Sequence, residues 1–271
     1  MHIKQRIGIM HIPSIFLGLV TILVLGFILT PIWITIVVSF NSGNYIVFPP
    51  TGISLRWYKT FVTDYMWVMV FKNSLLIAVP TMLVSTVTGV LAALGYMRRQ
   101  FRIKNVINLL IMLPFLVPGI IIGICLLMFA HKIGLAGTYT AVVAGHCLWG
   151  IPTVFLLVQA VLAGYDFSVE DAARDLGAGP IKTFFLITLP RIRTGVFSAM
   201  IFSFITSFGE FNMAVFLTGS ETMTMPVQIW SSLRYEVTPI VAAVSTVMIL
   251  TTLLGIGICS KFIGIKKISE M

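Results

Sequence analysis

The sequence predicts an all-α, polytopic membrane protein with six transmembrane helices, and three observations predict it. Of 271 residues, 58% are hydrophobic and only 10% are charged, whereas a soluble domain carries roughly a quarter charged residues. The charges are clustered: no Lys, Arg, Asp or Glu occurs from Ile7 to Leu55, nor from Val237 to Ser260. Such stretches exceed the roughly 20 apolar residues that cross the hydrocarbon layer. In lipid each backbone amide must be satisfied within its own segment, so runs of this length are helices.

The elements are taken in chain order, and the whole chain, 1–271, reads as one transmembrane domain. Lys4 and Arg6 precede an apolar run from Ile12 to about Phe40. It is too long for the core of a cleaved signal peptide, and no small-x-small site closes it, so it is read as a retained first span over 13–39. The segment from Asn41 to Met66 is turn-rich, and Pro49-Pro50 excludes a continuous helix there. Further spans are expected over 67–96, 105–130, 138–163, 192–218 and 239–263. Within them, Gly119 and Gly123 form a GxxxG pair suited to close packing, and His146 and Gln159 are expected to bond between helices. Cys125, Cys147 and Cys259 fall in apolar runs at spacings that suit no zinc site, and read as small buried hydrophobes.

Basic residues set the orientation. With the amino terminus in the cytoplasm, thirteen of the 18 Lys and Arg fall in cytoplasmic segments and five outside. The excess recurs at every alternate loop, so both termini are expected in the cytoplasm. The same bias accounts for the net charge of +9; no basic recognition helix or aromatic-basic platform points to nucleic acid.

The longest cytoplasmic segment, Tyr165 to Arg193, contains the loop 165–190. Ser168 and Asp171 fit the spacing of a capping box, and Glu170 and Asp171 suit the positive end of a helix dipole. Gly177, Gly179 and Pro180 stop that helix. Ile181 to Leu189 is read as a second amphipathic piece ending at Pro190. A short helix, a glycine turn and a second helix on this face suit either a docking element or a solvated loop.

Asp171, Ala172 and Ala173, followed by Gly177, Ile187, Leu189 and Pro190, fall at the spacings Glu-Ala-Ala, three residues, Gly, nine residues, Ile, one residue, Leu-Pro. This run resembles the cytoplasmic signature of permeases in binding-protein-dependent ABC importers, with Asp171 shortening the acidic arm by one methylene. FKNSLLIAVP (Phe71 to Pro80), LPFLVPGIIIG (Leu113 to Gly123), IWSSLRYEVTPIVAAVST (Ile229 to Thr246) and the outer VFPPTGISLRWYKTF (Val47 to Phe61) extend the likeness over nearly the whole chain. The last two are similar to the spermidine/putrescine branch. The resemblance implies a type I importer permease fold in a bacterial inner membrane and a polyamine-like organic cation as solute. It implies three kinds of protein partner: ATPase subunits that bind ATP, a second permease subunit, identical or related, and a periplasmic solute-binding protein. Glu170, Asp171, Ala172, Ala173, Gly177, Ile187, Leu189 and Pro190 would couple to the ATPase.

Glu210, next to Asn212 and after Gly209, lies inside the expected fifth span. An ionised carboxylate at that depth costs a few kcal/mol and must face protein or water. Glu210 and Asn212 are therefore candidates for the solute path, with a helix-interface role as the other reading of Glu210. The chain carries no GxxxxGK[ST] loop, HExxH or GxSxG, so a transport subunit without cofactor or metal is expected rather than an enzyme. A secondary carrier or channel driven by an ion gradient has the same hydropathy; copurification with an ATPase separates the two.

Overall fold

The computed structural model describes residues 11–235 and 237–263, with side chains described over 16–235 and 237–258. Lys4, Arg6, Lys266 and Lys267, which contribute to the expected orientation of the termini, lie outside the described residues, as do the side chains of Cys259 and Lys261. Among the described residues the chain is helical, with two isolated β-bridges and no strand.

Helix α1 spans His11–Val38. A short amphipathic α2, Arg56–Thr63, turns Trp57 and Phe61 inward. Then come α3 (Tyr65–Arg98), α4 (Lys104–Leu116), α5 (Gly119–Lys132) and α6 (Tyr139–Ala163). α7 (Ser168–Asp175) and α8 (Pro180–Thr183) lead through a π-helical turn, Phe184–Thr188, into α9 (Leu189–Phe208). α10 (Ala214–Leu217), α11 (Met225–Tyr235) and α12 (Ile240–Ile263) complete the described chain. Among these residues five helices are long and apolar enough to cross a membrane, and α4 with α5 makes a sixth span if counted together.

The centre is a triangle of α3, α6 and α9. Small residues let these backbones approach, as membrane helices require where lipid removes the hydrophobic drive. A Cβ on Gly150 of α6 would overlap Ser85 Oγ of α3 and stand 3.0 Å from Ser203 Oγ of α9. Toward the α7 end the triangle is filled by Leu94, Phe155, Val158, Leu162, Ile192 and Ala199. Toward the opposite end Trp57, Trp67, Val70, Phe208, Met225 and Val244 close it. α1 packs on α12 and its last residue, Val38, is buried, yet none of its apolar window is, and Phe16, Ile22 and Phe27 are exposed at 68%, 72% and 81%.

At the far end from α7, the connection between α1 and α2 is organised around the buried Asn41. Its Nδ2 donates to the Tyr45 carbonyl (2.8 Å), while its Oδ1 accepts from Thr51 N and Oγ1 (3.1 and 3.0 Å). Trp57 Nε1 donates to the Asn41 carbonyl at 2.9 Å, which ties α2 to the loop. Asn73 of α3 similarly donates to the carbonyls of Glu221 and Met223 and accepts from Tyr139 Oη at 2.7 Å.

Two spans expected to be continuous are broken. Over 105–130 the chain bends by 98° between α4 and α5. Val117 is extended (φ −100°, ψ 130°) ahead of Pro118, as the proline ring requires of its predecessor. Over 192–218 the helix instead begins near Pro180 and ends at Phe208, with Gly209 as its cap and α10 a separate turn. The two breaks meet: Cβ atoms on Gly119 and Gly123 would stand 3.1 Å from Asn212 Cβ and 3.1 Å from Met213 Cα. The GxxxG pair thus packs α5 against the broken segment. Cys147 is buried, but Cys125 lies on the exposed face of α5 rather than inside.

Candidate functional site

Two groups of the sequence-predicted residues are brought into defined geometry, one at each side of α9. The first is the α7 turn. Ser168 does not cap α7; it is the first helical residue, and Asp166 Oδ1 accepts from its N–H at 2.9 Å. Bonds to Ser168 hold the exposed Asp166 carboxyl below the ordinary range. The expected capping box fails because Ser168 lies inside the helix rather than before it. α7 ends in a Schellman motif: Ala178 N donates to Ala173 O and Gly177 N to Arg174 O, both at 2.9 Å. This closure requires the left-handed backbone that Gly177 adopts, φ +83°.

Beyond this turn the chain does not form a separate helix ending at Pro190. α8, the π turn and α9 run on as one rod from Pro180 to Phe208. Pro190 lacks an N–H and its ring crowds the carbonyl one turn back. The π turn just before it, with Leu189 N donating to Phe184 O, gives the backbone the room.

The two faces of α7 differ sharply. Asp171, Ala172, Leu176 and Gly177 are exposed, Leu176 at 90%, and Ile181 just beyond the turn at 74%. Glu170 and Ala173 are buried. Glu170 is 1% exposed and faces the bundle, not solvent. Arg98 Nη2, from the last residue of α3, donates to Glu170 Oε1 at 2.8 Å, and Thr188 Oγ1 donates to the same oxygen at 2.7 Å. Arg174 stands 3.7 Å from Oε2. Burial works against ionisation of Glu170, but the bonds and charges of Arg98, Thr188 and Arg174 outweigh it and hold the carboxyl below its ordinary value. Ile187 and Leu189 are half-buried on the rod, and Pro190 is exposed. An open groove of about 920 Å³ runs beside this turn between α3 and the rod, lined by Val87, Leu91, Arg98, Ile181 and Phe185 among others.

The second group surrounds Glu210. It sits just past the end of α9, 5% exposed, with its carboxylate turned to the backbone. Met213 N donates to Oε1 and Oε2 at 2.9 and 3.1 Å, and Ala214 N to Oε2 at 2.8 Å. These are the free amides at the start of α10, and the carboxylate caps them. His146 of α6 stands 3.4 Å away through Nε2 and shares a 2.8 Å hydrogen bond with Ser207 Oγ through Nδ1. Asn212, half-buried, packs on Gly119. Gln159 is half-buried on α6.

Sequence reasoning missed Leu176 and Ile181 as exposed apolar groups, and it missed Arg98 and Thr188 as partners of Glu170. Leu176 had a signal, since it directly precedes the turn glycine. Arg98 had none, because it lies 72 residues from Glu170.

Residues 85–259 match the family described as "Binding-protein-dependent transport system inner membrane component". The chain is 32% identical over 240 residues to the "Putrescine transport system permease protein PotI" of Escherichia coli K12, covering 85% of each chain. It is 27% identical over 228 residues to the "Spermidine/putrescine transport system permease protein PotC" of the same organism, covering 84% and 86%. In fold it resembles a bacterial ABC transporter that imports alginate, with a TM-score of 0.71 at 15% identity, over 93% of this chain and 96% of that one. It also resembles the methionine ABC transporter MetNI in an inward-facing form, with a TM-score of 0.56 at 17% identity, over 74% and 97%.

Proposed function

Since the chain belongs to the family of inner-membrane components of binding-protein-dependent transport systems, and is a permease subunit of an ABC importer rather than an enzyme, we propose that it moves a small polyamine-like cation and takes its drive from a separate ATPase docked on the α7 turn. The observation that carries the docking reading is the exposed pair Leu176 and Ile181, at 90% and 74%, projecting beside Asp171 and Gly177. Leu176 follows the polar α7 directly and Ile181 opens the rod beside it, and with Phe185 and Leu186 they offer an apolar surface that suits a protein partner's cleft. Ala172 is small enough to admit close approach there.

On this reading the α7 end is cytoplasmic, in line with Arg98, Arg99, Arg102, Lys104, Arg174, Lys182, Arg191 and Arg193 gathered near it. The Asn41 and Asn73 clusters then lie on the outer face, where a periplasmic binding protein would deliver solute. ATP is bound and hydrolysed by the partner ATPase, for this sequence has no phosphate loop of its own. A second permease subunit completes the path. Glu210 and Asn212 contribute to that path by fixing the break between α9 and α10, not by offering a free carboxylate. The polyamine class is supported by the names of the two relatives with which the chain aligns over most of its length.

The test is copurification in detergent with candidate ATPase subunits, for wild type, Gly177→Asp and Leu176→Asp. Stoichiometric ATPase with the wild type and its loss from both variants, at equal expression, is expected. Binding of radiolabelled putrescine to the cognate binding protein tests the solute separately. Tight binding of a different solute there would overturn the polyamine assignment and leave the permease standing.

A further inference from the structure

We propose that the Arg98–Glu170–Thr188 contact is the link that carries movement of α7 into the transmembrane bundle, so that Glu170 is a positioning residue for coupling rather than a contact for the ATPase. The inference rests on the docking reading of the α7 turn given above. Of the eight residues of α7, only Glu170 and Ala173 are buried. The Ala173 methyl and the half-buried Val169 make no polar bond, so the hydrogen-bonded attachment of α7 to the bundle falls on one carboxylate.

That carboxylate reaches two spans at once. Arg98 is the final residue of α3, and Thr188 closes the π turn at the foot of α9. Both bond to Glu170 Oε1, at 2.8 and 2.7 Å, and Arg98 Nη2 also lies 3.4 Å from Thr188 Oγ1. The three groups thus form a closed triangle between α7, α3 and α9. α3 and α9 pack against each other and against α6 along the centre of the molecule. A displacement of α7 is therefore delivered to the ends of both spans, through charge-assisted bonds that are short and directional. Asp171, one residue on, is exposed at 69% and bonds within α7, to Arg174. The two neighbouring acids divide the work: Asp171 faces outward, and Glu170 faces inward.

The experiment uses the whole complex of this permease with its second permease and ATPase, in proteoliposomes, stimulated by the binding protein as purified. Glu170→Gln, Arg98→Gln and the double variant are compared for ATPase stoichiometry and for stimulation of ATP hydrolysis. The expected result is unchanged stoichiometry, with stimulation reduced about tenfold in each single variant, and no further loss in the double variant. Wild-type stimulation in the single variants, or additive losses in the double, would overturn the inference. So would loss of the ATPase from Glu170→Gln, which would make Glu170 a docking residue. Should that variant fail to accumulate, Arg98→Gln decides, because the Arg98 side chain is 29% exposed and its removal leaves less buried. If the wild type binds no ATPase, the docking reading falls and this inference falls with it.

Discussion

Replacing Glu210 by alanine separates its two roles, as a ligand in the path and as an anchor for the broken span. The carboxylate accepts from two backbone amides, Met213 N and Ala214 N, at 2.8 to 3.1 Å, in a position 5% exposed. Truncation leaves both N–H groups without that acceptor and away from water. Each such loss costs about 1–3 kcal/mol, so Glu210→Ala should destabilise by roughly 2–6 kcal/mol. Glutamine keeps one acceptor oxygen but turns an NH2 toward donors, and should cost about half as much, roughly 1–3 kcal/mol. At about 2–4 °C per kcal/mol for a domain of this size, the alanine variant should melt roughly 5–20 °C below wild type. Thermal unfolding in detergent, followed by tryptophan fluorescence and by retention on size exclusion, reads the order wild type, Gln, Ala. Wild-type melting in Glu210→Ala together with abolished transport would refute the reasoning. The carboxylate would then be serving solute rather than backbone.

Three further outcomes are expected. Gly150→Ala drives a methyl into Ser85 Oγ and should destabilise by about 1–3 kcal/mol; adding Ser85→Ala should recover part of the melting temperature, and no recovery would place the strain elsewhere. Gly177→Ala meets nothing within 4 Å but keeps φ +83°, so it should loosen the end of α7 by about 1–2 kcal/mol, with Gly177→Asn milder, as hydrogen exchange over 168–178 would register. Glu170 titrates below its ordinary value of 4.5 in the fold, so its contribution is full above about pH 4.5 and is lost as pH falls through the lower, folded value; limited proteolysis of 165–190 should therefore accelerate below pH 4.5 in the wild type and accelerate less in Glu170→Gln, where of the segment's two depressed carboxyls only Asp166 remains.

Much of this architecture is legible in the sequence because the bilayer imposes one rule on every residue of a span. The apolar runs from Ile12 to about Phe40 and over 239–263 admit no reading but helix. The glycine stop at Gly177 is equally readable, since few residues take that backbone. Hydropathy is blind, however, to a break whose residues are themselves apolar. Pro118-Gly119 announces the bend between α4 and α5 in retrospect, but proline also lies inside α1, α3 and α6 without ending them. The stop at Gly209 is hidden for the same reason: Glu210 looks like a membrane charge in need of a ligand, when its partners are amides three and four residues on. Glu170 and Asp171 are alike in the sequence and opposite in the fold. What parts them is the phase of an eight-residue helix, which turns Glu170 toward Arg98, far back along the chain.

The π turn at Phe184–Thr188 holds one residue more per turn than the α-helix on either side of it. Deleting any one of those five residues would let the rod from Pro180 to Phe208 become regular without shortening its bonded backbone. The correction would be local, because the surplus residue is held inside one widened turn and adds little to the winding of the rod. Leu176 and Ile181 would keep nearly their present bearing while α9 stayed fixed in the bundle. Deleting a residue from a regular stretch of the rod would instead turn them by about 100°. The widened turn is therefore slack, a place where the count of residues can change by one without re-aiming what lies before it. What the deletion would disturb is Pro190, whose ring would again crowd the carbonyl one turn back.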